Sequence, residues 1–173
     1  MPIRRIALLG EDILRVGAEE VTTFDDELNS LIQDMLETMY HAGGIGLAAP
    51  QIGVSLRVCV LDLRAEEDPE ADRWVLVNPV VAKSSKNTVK ASEGCLSIPE
   101  IEEIVTRPSE VTVKATDAGG QPLEIEAEGL LARALQHEID HLDGVLFIDR
   151  VSPLKRRLVL KKWKKSQEEG PEE

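Results

Sequence analysis

His137-Glu138-Ile139-Asp140-His141 sets two imidazoles four residues apart with a carboxylate next to the first of them. On a helix the two rings share one face about a turn apart, so both can ligate one divalent ion while Glu138 reaches a water at that ion. This is the equipment of a metal-dependent hydrolase. A helix with two histidines and acids can also be only a solvated face, so the reading needs a third ligand. A hydrolytic ion takes three protein ligands and keeps one position open for water. His41 is the one remaining histidine, and at the end of a helical segment it reads better as a partner of the helix dipole. The glutamates are too numerous to choose among on chemistry alone. Cys95 is the singular candidate. It follows Glu93-Gly94, where glycine permits close backbone approach, and its thiolate is a strong ligand for zinc or ferrous iron. The site read from the residues is therefore Cys95, His137 and His141.

Regular elements must bring these side chains together. Thr23-Phe24-Asp25-Asp26 offers capping groups, and Leu28, Leu31, Ile32, Met35, Leu36 and Met39 follow at helical spacing, which predicts a helix over 25–41 stopped by Gly43 and Gly44. The stretch Ile45-Gly46-Leu47-Ala48-Ala49-Pro50-Gln51 is too rich in small residues and too punctuated by proline for a regular element. Strands are predicted at 56–63, 74–82, 104–116 and 121–127, with Ala118-Gly119-Gly120 as a hairpin turn and an acidic loop at 65–72. A second helix spans 129–143 and ends at Gly144, and a third begins at Ser152-Pro153, a cap followed by proline in the first turn. Strands in the middle with helices at both ends point to an α+β fold.

At 173 residues the chain fits one domain with a sizeable core, so a metal here serves chemistry rather than folding. It has no apolar run long enough to span a bilayer, and Met1-Pro2-Ile3-Arg4-Arg5 leads into mixed sequence without a secretory pattern, which makes the cytoplasm the expected compartment. The two cysteines agree: Cys59 sits in the apolar strand 57–63 as a small core residue, and a disulfide to Cys95 is the weaker reading. The formal charge is −12, yet residues 150–165 hold eight bases and no acid. The body would be repelled by nucleic acid and this helix would not, although a solvated basic face is the simpler account of it. An acidic, flexible tail is expected at 167–173, leaving 1–166 as one catalytic domain.

Gly44-Ile45-Gly46-Leu47-Ala48-Ala49-Pro50-Gln51, Glu93-Gly94-Cys95-Leu96-Ser97 and His137-Glu138-Ile139-Asp140-His141 resemble, in order and separation, the three motifs of the peptide deformylases. The likeness extends from Leu14-Arg15 through Gly144-Val145-Leu146-Phe147-Ile148-Asp149-Arg150 and stops only at the acidic tail. It implies antiparallel and mixed β-sheets around a central metal-binding helix, with a C-terminal helix. It also implies a bacterial cytoplasmic hydrolase that removes the formyl group from the initiator methionine of new polypeptides. The ion would be ferrous iron, with Zn2+, Ni2+ or Co2+ as possible occupants.

Carried onto this chain, the resemblance gives Glu138 the water's proton and its delivery to the departing amine. The Gln51 side-chain amide and the Leu96 N–H would donate to the developing oxyanion. Ile45 and Gly46 would pair with an extended N-formylmethionyl peptide. The methionine pocket would be walled by Ile45, Leu131, Ala134 and the aliphatic part of Glu93, next to Gly94. Glu93 would also orient the loop or a ligand, and Asp140 is read as a salt-bridge partner or a tuner of the site. The C-terminal helix would dock on the ribosome. Two residues depart from the family pattern: Glu102, where many relatives carry arginine or an aromatic, touches recognition beyond methionine, and Asp12 alters a turn far from the ligands. Two rivals remain at this point, a zinc peptidase and a metal-stabilised ribosome-binding module. The first needs a downstream His or Glu ligand, and no histidine follows His141; the second needs a closed, four-ligand site.

Overall fold

The computed structural model describes residues 3–64 and 73–169. The predicted acidic loop at 65–72 and the last four residues of the tail lie outside the described residues. Among those described, the chain forms in order α1 (Asp26–Ala42), β1 (Gly46–Ala48), β2 (Val58–Asp62), β3 (Arg73–Ser84), β4 (Thr88–Cys95), β5 (Ile98–Pro108), β6 (Glu110–Thr116), β7 (Pro122–Glu128), α2 (Gly129–Leu142) and α3 (Pro153–Glu169). The fold is α+β.

Asp25 accepts from the Leu28 N–H and caps α1, whose apolar stripe of Leu28, Leu31, Ile32, Met35, Leu36 and Met39 is buried. That stripe packs on Leu47, Val58, Val60 and Val77, fixing α1 against β1, β2 and β3. The larger sheet runs β1-β2-β3-β6-β7 with every neighbouring pair antiparallel. The parallel component of the described structure is one isolated bridge between Glu19 and Leu56. α2 lies on the opposite side, where Ala132, Leu135, Ile139 and Leu142 pack with Cys59, Leu61, Leu76, Val111 and Val113. The helix that carries the motif histidines is thus buried between the sheet and the β4–β5 hairpin.

The structure differs from the sequence reading in four places. The run 104–116, predicted as one strand, is two strands in different sheets. Pro108 has no N–H to continue a ladder, and the next donor, Ser109 N–H, bonds Asn87 O at 3.0 Å as the chain crosses to β6. β4 was not predicted, because Thr88-Val89-Lys90-Ala91-Ser92-Glu93-Gly94 is mostly exposed and has little apolar alternation; its ladder with β5 makes it a strand. The small-residue stretch after α1 also holds a three-residue strand, β1, which borrows its hydrogen bonds from β2. At the C-terminus, α3 continues to Glu169, so residues 167–169 belong to the helix rather than to a tail.

Candidate active site

α2 buries His137, Glu138 and His141 on the side facing the hairpin, with the two imidazole centroids 5.0 Å apart. Between β4 and β5 the ladder slips, from Gly94 opposite Glu102 to Cys95 opposite Ile98, and the chain reverses through Leu96-Ser97. Bulges of this kind re-aim a side chain, and the Cys95 sulfur comes to lie 3.3 Å from His141 Nε2. Ligand atoms of Cys95, His137 and His141 all fall within 4.8 Å of one another. A thiolate and an imidazole on one tetrahedral ion stand about 3.5 Å apart given usual bond lengths, so the spacing fits. A soft thiolate with two imidazoles also suits a divalent transition metal.

Behind the ligands lies a chain of buried charges. His137 Nδ1 is 3.0 Å from Glu93 Oε1, leaving Nε2 for the ion. Glu93 is bracketed by Arg107, at 2.6 and 2.9 Å, and by Arg133. Arg107 reaches Asp140 at 2.9 Å, and Asp140 takes two more bonds from Arg150. Burial acts to raise the Glu93 pKa, but hydrogen bonds from His137 and Arg107 overrule it and hold the group at about 2. His137 is pulled down by burial and, more strongly, up by Cys95 and Glu93, to about 10; a divalent ion competes with that proton. His141 is lowered well below the usual imidazole range by burial and by the charge of His137.

Glu138 is 4 % exposed and its Oε2 has no hydrogen-bond partner. Burial lifts its pKa to about 7, against the lowering influence of His137 and Arg107. Space for this carboxylate is made by Gly46, where a Cβ would come within 2.7 Å of Glu138 Oε1. A Cβ on Gly44 would meet Leu96 Cδ1 at 2.7 Å, so a side chain at either glycine would have to displace the one opposite it. Gln51 Oε1 accepts from the Ala48 N–H at 2.9 Å, which turns its Nε2 toward Ser97 Oγ at 3.0 Å and Cys95 Sγ at 3.6 Å. The fixed amide therefore offers a donor beside the thiolate.

A family model described as polypeptide deformylase matches residues 3–157. The chain belongs to the peptide deformylase family. It is 50% identical over 170 residues to a peptide deformylase of Acidobacterium capsulatum, covering 98% of this chain and 99% of that protein. Among solved structures, a peptide deformylase from Legionella pneumophila superposes with a TM-score of 0.87 at 49% identity, covering 95% of each chain. One from Synechococcus elongatus, in complex with actinonin, gives a TM-score of 0.87 at 45% identity, covering 94% of this chain and 88% of that one.

One cleft of about 950 Å³ is lined by Ile45, Gly46, Gln51, Glu93, Gly94, Cys95, Leu96, Ala134, His137 and Glu138 among others. Leu131 does not line it: its side chain packs on the core between α2 and the sheet, and the preceding residue, Leu130, faces the cleft instead. One position on a helix turns a side chain by about 100°, enough to make that exchange. His41 is exposed and outside the ligand cluster. Glu102 stands on the cleft wall beside Gly94.

Arg107 and Lys162 were missed. Arg107 carries the bond between the two acids behind the ligands, and its signal was a cation at the same strand parity as Ile101 and Val105, where a buried residue was due. Lys162 lines the cleft from α3, and no local pattern distinguishes it from its lysine neighbours.

Proposed function

We infer that this chain removes the N-formyl group from the initiator methionine of nascent polypeptides and releases formate. The observation that carries the reading is one cleft holding a Cys-His-His ligand set beside a buried carboxylate without a partner, in a chain of the deformylase family.

Cys95, His137 and His141 would hold a divalent ion, for which Fe2+ is proposed and Zn2+, Ni2+ or Co2+ are chemically acceptable, and it would polarise the formyl carbonyl and acidify the attacking water. Glu138 takes a proton from that water as its oxygen bonds the formyl carbon. Buried and without a hydrogen-bond partner at Oε2, it can hold this proton and hand it to the amine nitrogen when the C–N bond breaks. As the carbonyl oxygen gains charge, Gln51 Nε2 and the Leu96 N–H donate to it, each such donor being worth about 3–4 kcal/mol.

β1 is the end strand of its sheet, and its other edge meets no strand among the described residues. An extended peptide can add to that edge through Ile45 and Gly46. The methionine side chain then enters between Ile45, Ala134, Leu130 and the stem of Glu93. The catalytic domain is taken to run through the end of α3, working in the bacterial cytoplasm, with α3 as the ribosome contact. No helix of the described residues is long and apolar enough to cross a membrane.

The test is formate release from a formyl-Met peptide, measured anaerobically on iron-loaded and then zinc-loaded enzyme with metal content determined in both. Formate with the peptide chain left intact is expected, faster with iron. Cleavage of internal bonds in unformylated peptides would instead make the protein a peptidase. Metal binding with neither activity would make it a binding module.

A further inference from the structure

The segment Gly43-Gly44-Ile45-Gly46 leads into the edge on which the peptide is proposed to pair, and it has few side chains to hold it. A Cβ at Gly44 or Gly46 would press on the Leu96 or the Glu138 side chain, and glycine gives up more backbone freedom on ordering than any other residue. Backbone bonds supply part of the order: Gly43 N–H to Tyr40 O at 3.1 Å, Gly44 N–H to Met39 O at 3.0 Å, and Asp62 N–H to Ile45 O at 2.9 Å. The Gly44 carbonyl, between these contacts, is taken by Arg64 Nη2 at 2.7 Å.

Arg64 is itself held in an unusual shape. Its φ is +58°, a left-handed conformation that is uncommon for a residue with a Cβ. The Arg64 N–H donates to Asp62 Oδ1 at 2.8 Å, a local turn that sets the backbone. Asp62 is anchored in turn by the Tyr40 hydroxyl at the end of α1. Tyr40, Asp62 and Arg64 thus form a bracket joining the end of α1, the end of β2 and the glycine segment.

We propose that Arg64 is a positioning residue for peptide binding: its guanidinium holds the Gly44 carbonyl so that Ile45 and Gly46 present an already ordered edge to the formyl peptide. The proposal rests on the deformylase reading. None of the bracket residues lines the cleft, so the effect falls on binding and not on the reacting atoms. An edge ordered in advance lowers the entropy lost on association.

The experiment compares Arg64→Ala, Arg64→Gly and Arg64→Lys with wild type, as metal-loaded full chains. Arg64→Gly relieves the left-handed backbone while losing the guanidinium; Arg64→Ala loses the guanidinium and keeps the strain. Both should raise KM for a formyl-Met tripeptide about threefold to tenfold, the worth of one lost hydrogen bond, with kcat within about twofold of wild type. KM for formyl-methioninamide, which has less backbone to pair, should move less, and Arg64→Lys should recover part of the loss. Amide hydrogen exchange at 44–48 in the peptide-free protein should quicken in the Ala and Gly variants. Unchanged KM and unchanged exchange in both variants overturn the role of Arg64, as does a lower melting temperature alone. A fall in kcat at constant KM overturns it in favour of a part in the reaction. If wild type releases no formate, the functional reading fails and takes the peptide part of the proposal with it, while the exchange data still decide whether Arg64 orders the segment.

Discussion

α2 and α3 both pack on the body, and they use polar residues in opposite ways. From Ala134 to Leu142 every residue of α2 is buried, including Gln136, His137, Glu138, Asp140 and His141. α3 buries only Val159 and Trp163, and its ion pairs, Lys155 to Glu103 and Arg156 to Asp149, are partly exposed and 3.4 Å long. A buried charge is costly unless it is paired. Those of α2 are therefore either matched, as Asp140 is by Arg107 and Arg150, or kept for chemistry, as Glu138 is. The charges of α3 are solvated and individually worth little. Substitutions in α2 should therefore be severe and specific, and those on the exposed face of α3 mild for the enzyme itself.

The largest expected effect is at Glu138. Glu138→Gln keeps the shape of the side chain but cannot accept the water's proton, so turnover should fall about 10²–10⁴-fold with metal content unchanged. Wild-type formate release from a metal-replete mutant would remove this carboxylate from the mechanism. Next come the cysteines. Cys95→Ser should lose metal by elemental analysis, whereas Cys59→Ser, buried in the sheet core and far from the ligand set in role, should retain it. Equal retention in both would contradict the proposed ligands.

Arg107→Ala should cost about 3–5 kcal/mol of stability, because it leaves Glu93 and Asp140 buried beside a missing cation. Arg150→Ala, whose side chain is 49 % exposed, should cost about 1 kcal/mol or less. Urea melts of the two variants read the difference, and equal losses would show that the buried charge chain is no stronger than a surface pair. The pH dependence has a defined sign. Glu93 is held at about 2 in the folded protein against 4.5 as its ordinary value, so its contribution is present above the ordinary value and is lost as pH falls toward 2. The acid side of the melting temperature profile should be shallower in Glu93→Gln than in wild type. Parallel profiles would assign the acid sensitivity to other carboxylates.

What could be read in advance follows the same division. The helical periodicity that placed α1 and α2 is local, and so is the spacing that put His137 and His141 on one face. Cys95 was legible by elimination, since its only thiol competitor sits in an apolar strand. The pieces that escaped depend on partners distant in sequence. β4 is a strand only because β5 pairs with it, and the Arg107 side chain is buried only because Glu93 and Asp140 await it. Gly46 was read as backbone for a peptide; that it also leaves room for Glu138 depends on two segments 92 residues apart meeting. Leu131, placed on the pocket wall by the resemblance alone, is off by one helical position, because motif likeness does not say which of two adjacent leucines faces the cleft.

The smallest effect on the enzyme, and the sharpest test of the contrast, is on α3. Removing the helix after Ser152 would strip Val159 and Trp163 from a cluster with Ile98, Ile101, Val105 and Phe147, so a loss of ribosome binding could come from a loosened hairpin. Charge reversal avoids this, but Lys162 must be left alone because it lines the cleft. Lys161→Glu, Lys164→Glu and Lys165→Glu together change only exposed positions, so melting should move little and formate release from short peptides should stay near wild type. If α3 docks on ribosomal RNA, each lost phosphate contact lowers the salt slope of binding by about one. Cosedimentation with ribosomes across a salt series should therefore weaken and flatten in the triple variant. Leu154 and Leu158, exposed at 63% and 57%, are untouched, so any apolar share of the docking persists. An unchanged salt profile would mean that these lysines only solvate the helix, and the difference between α2 and α3 would then be one between a working face and an inert one.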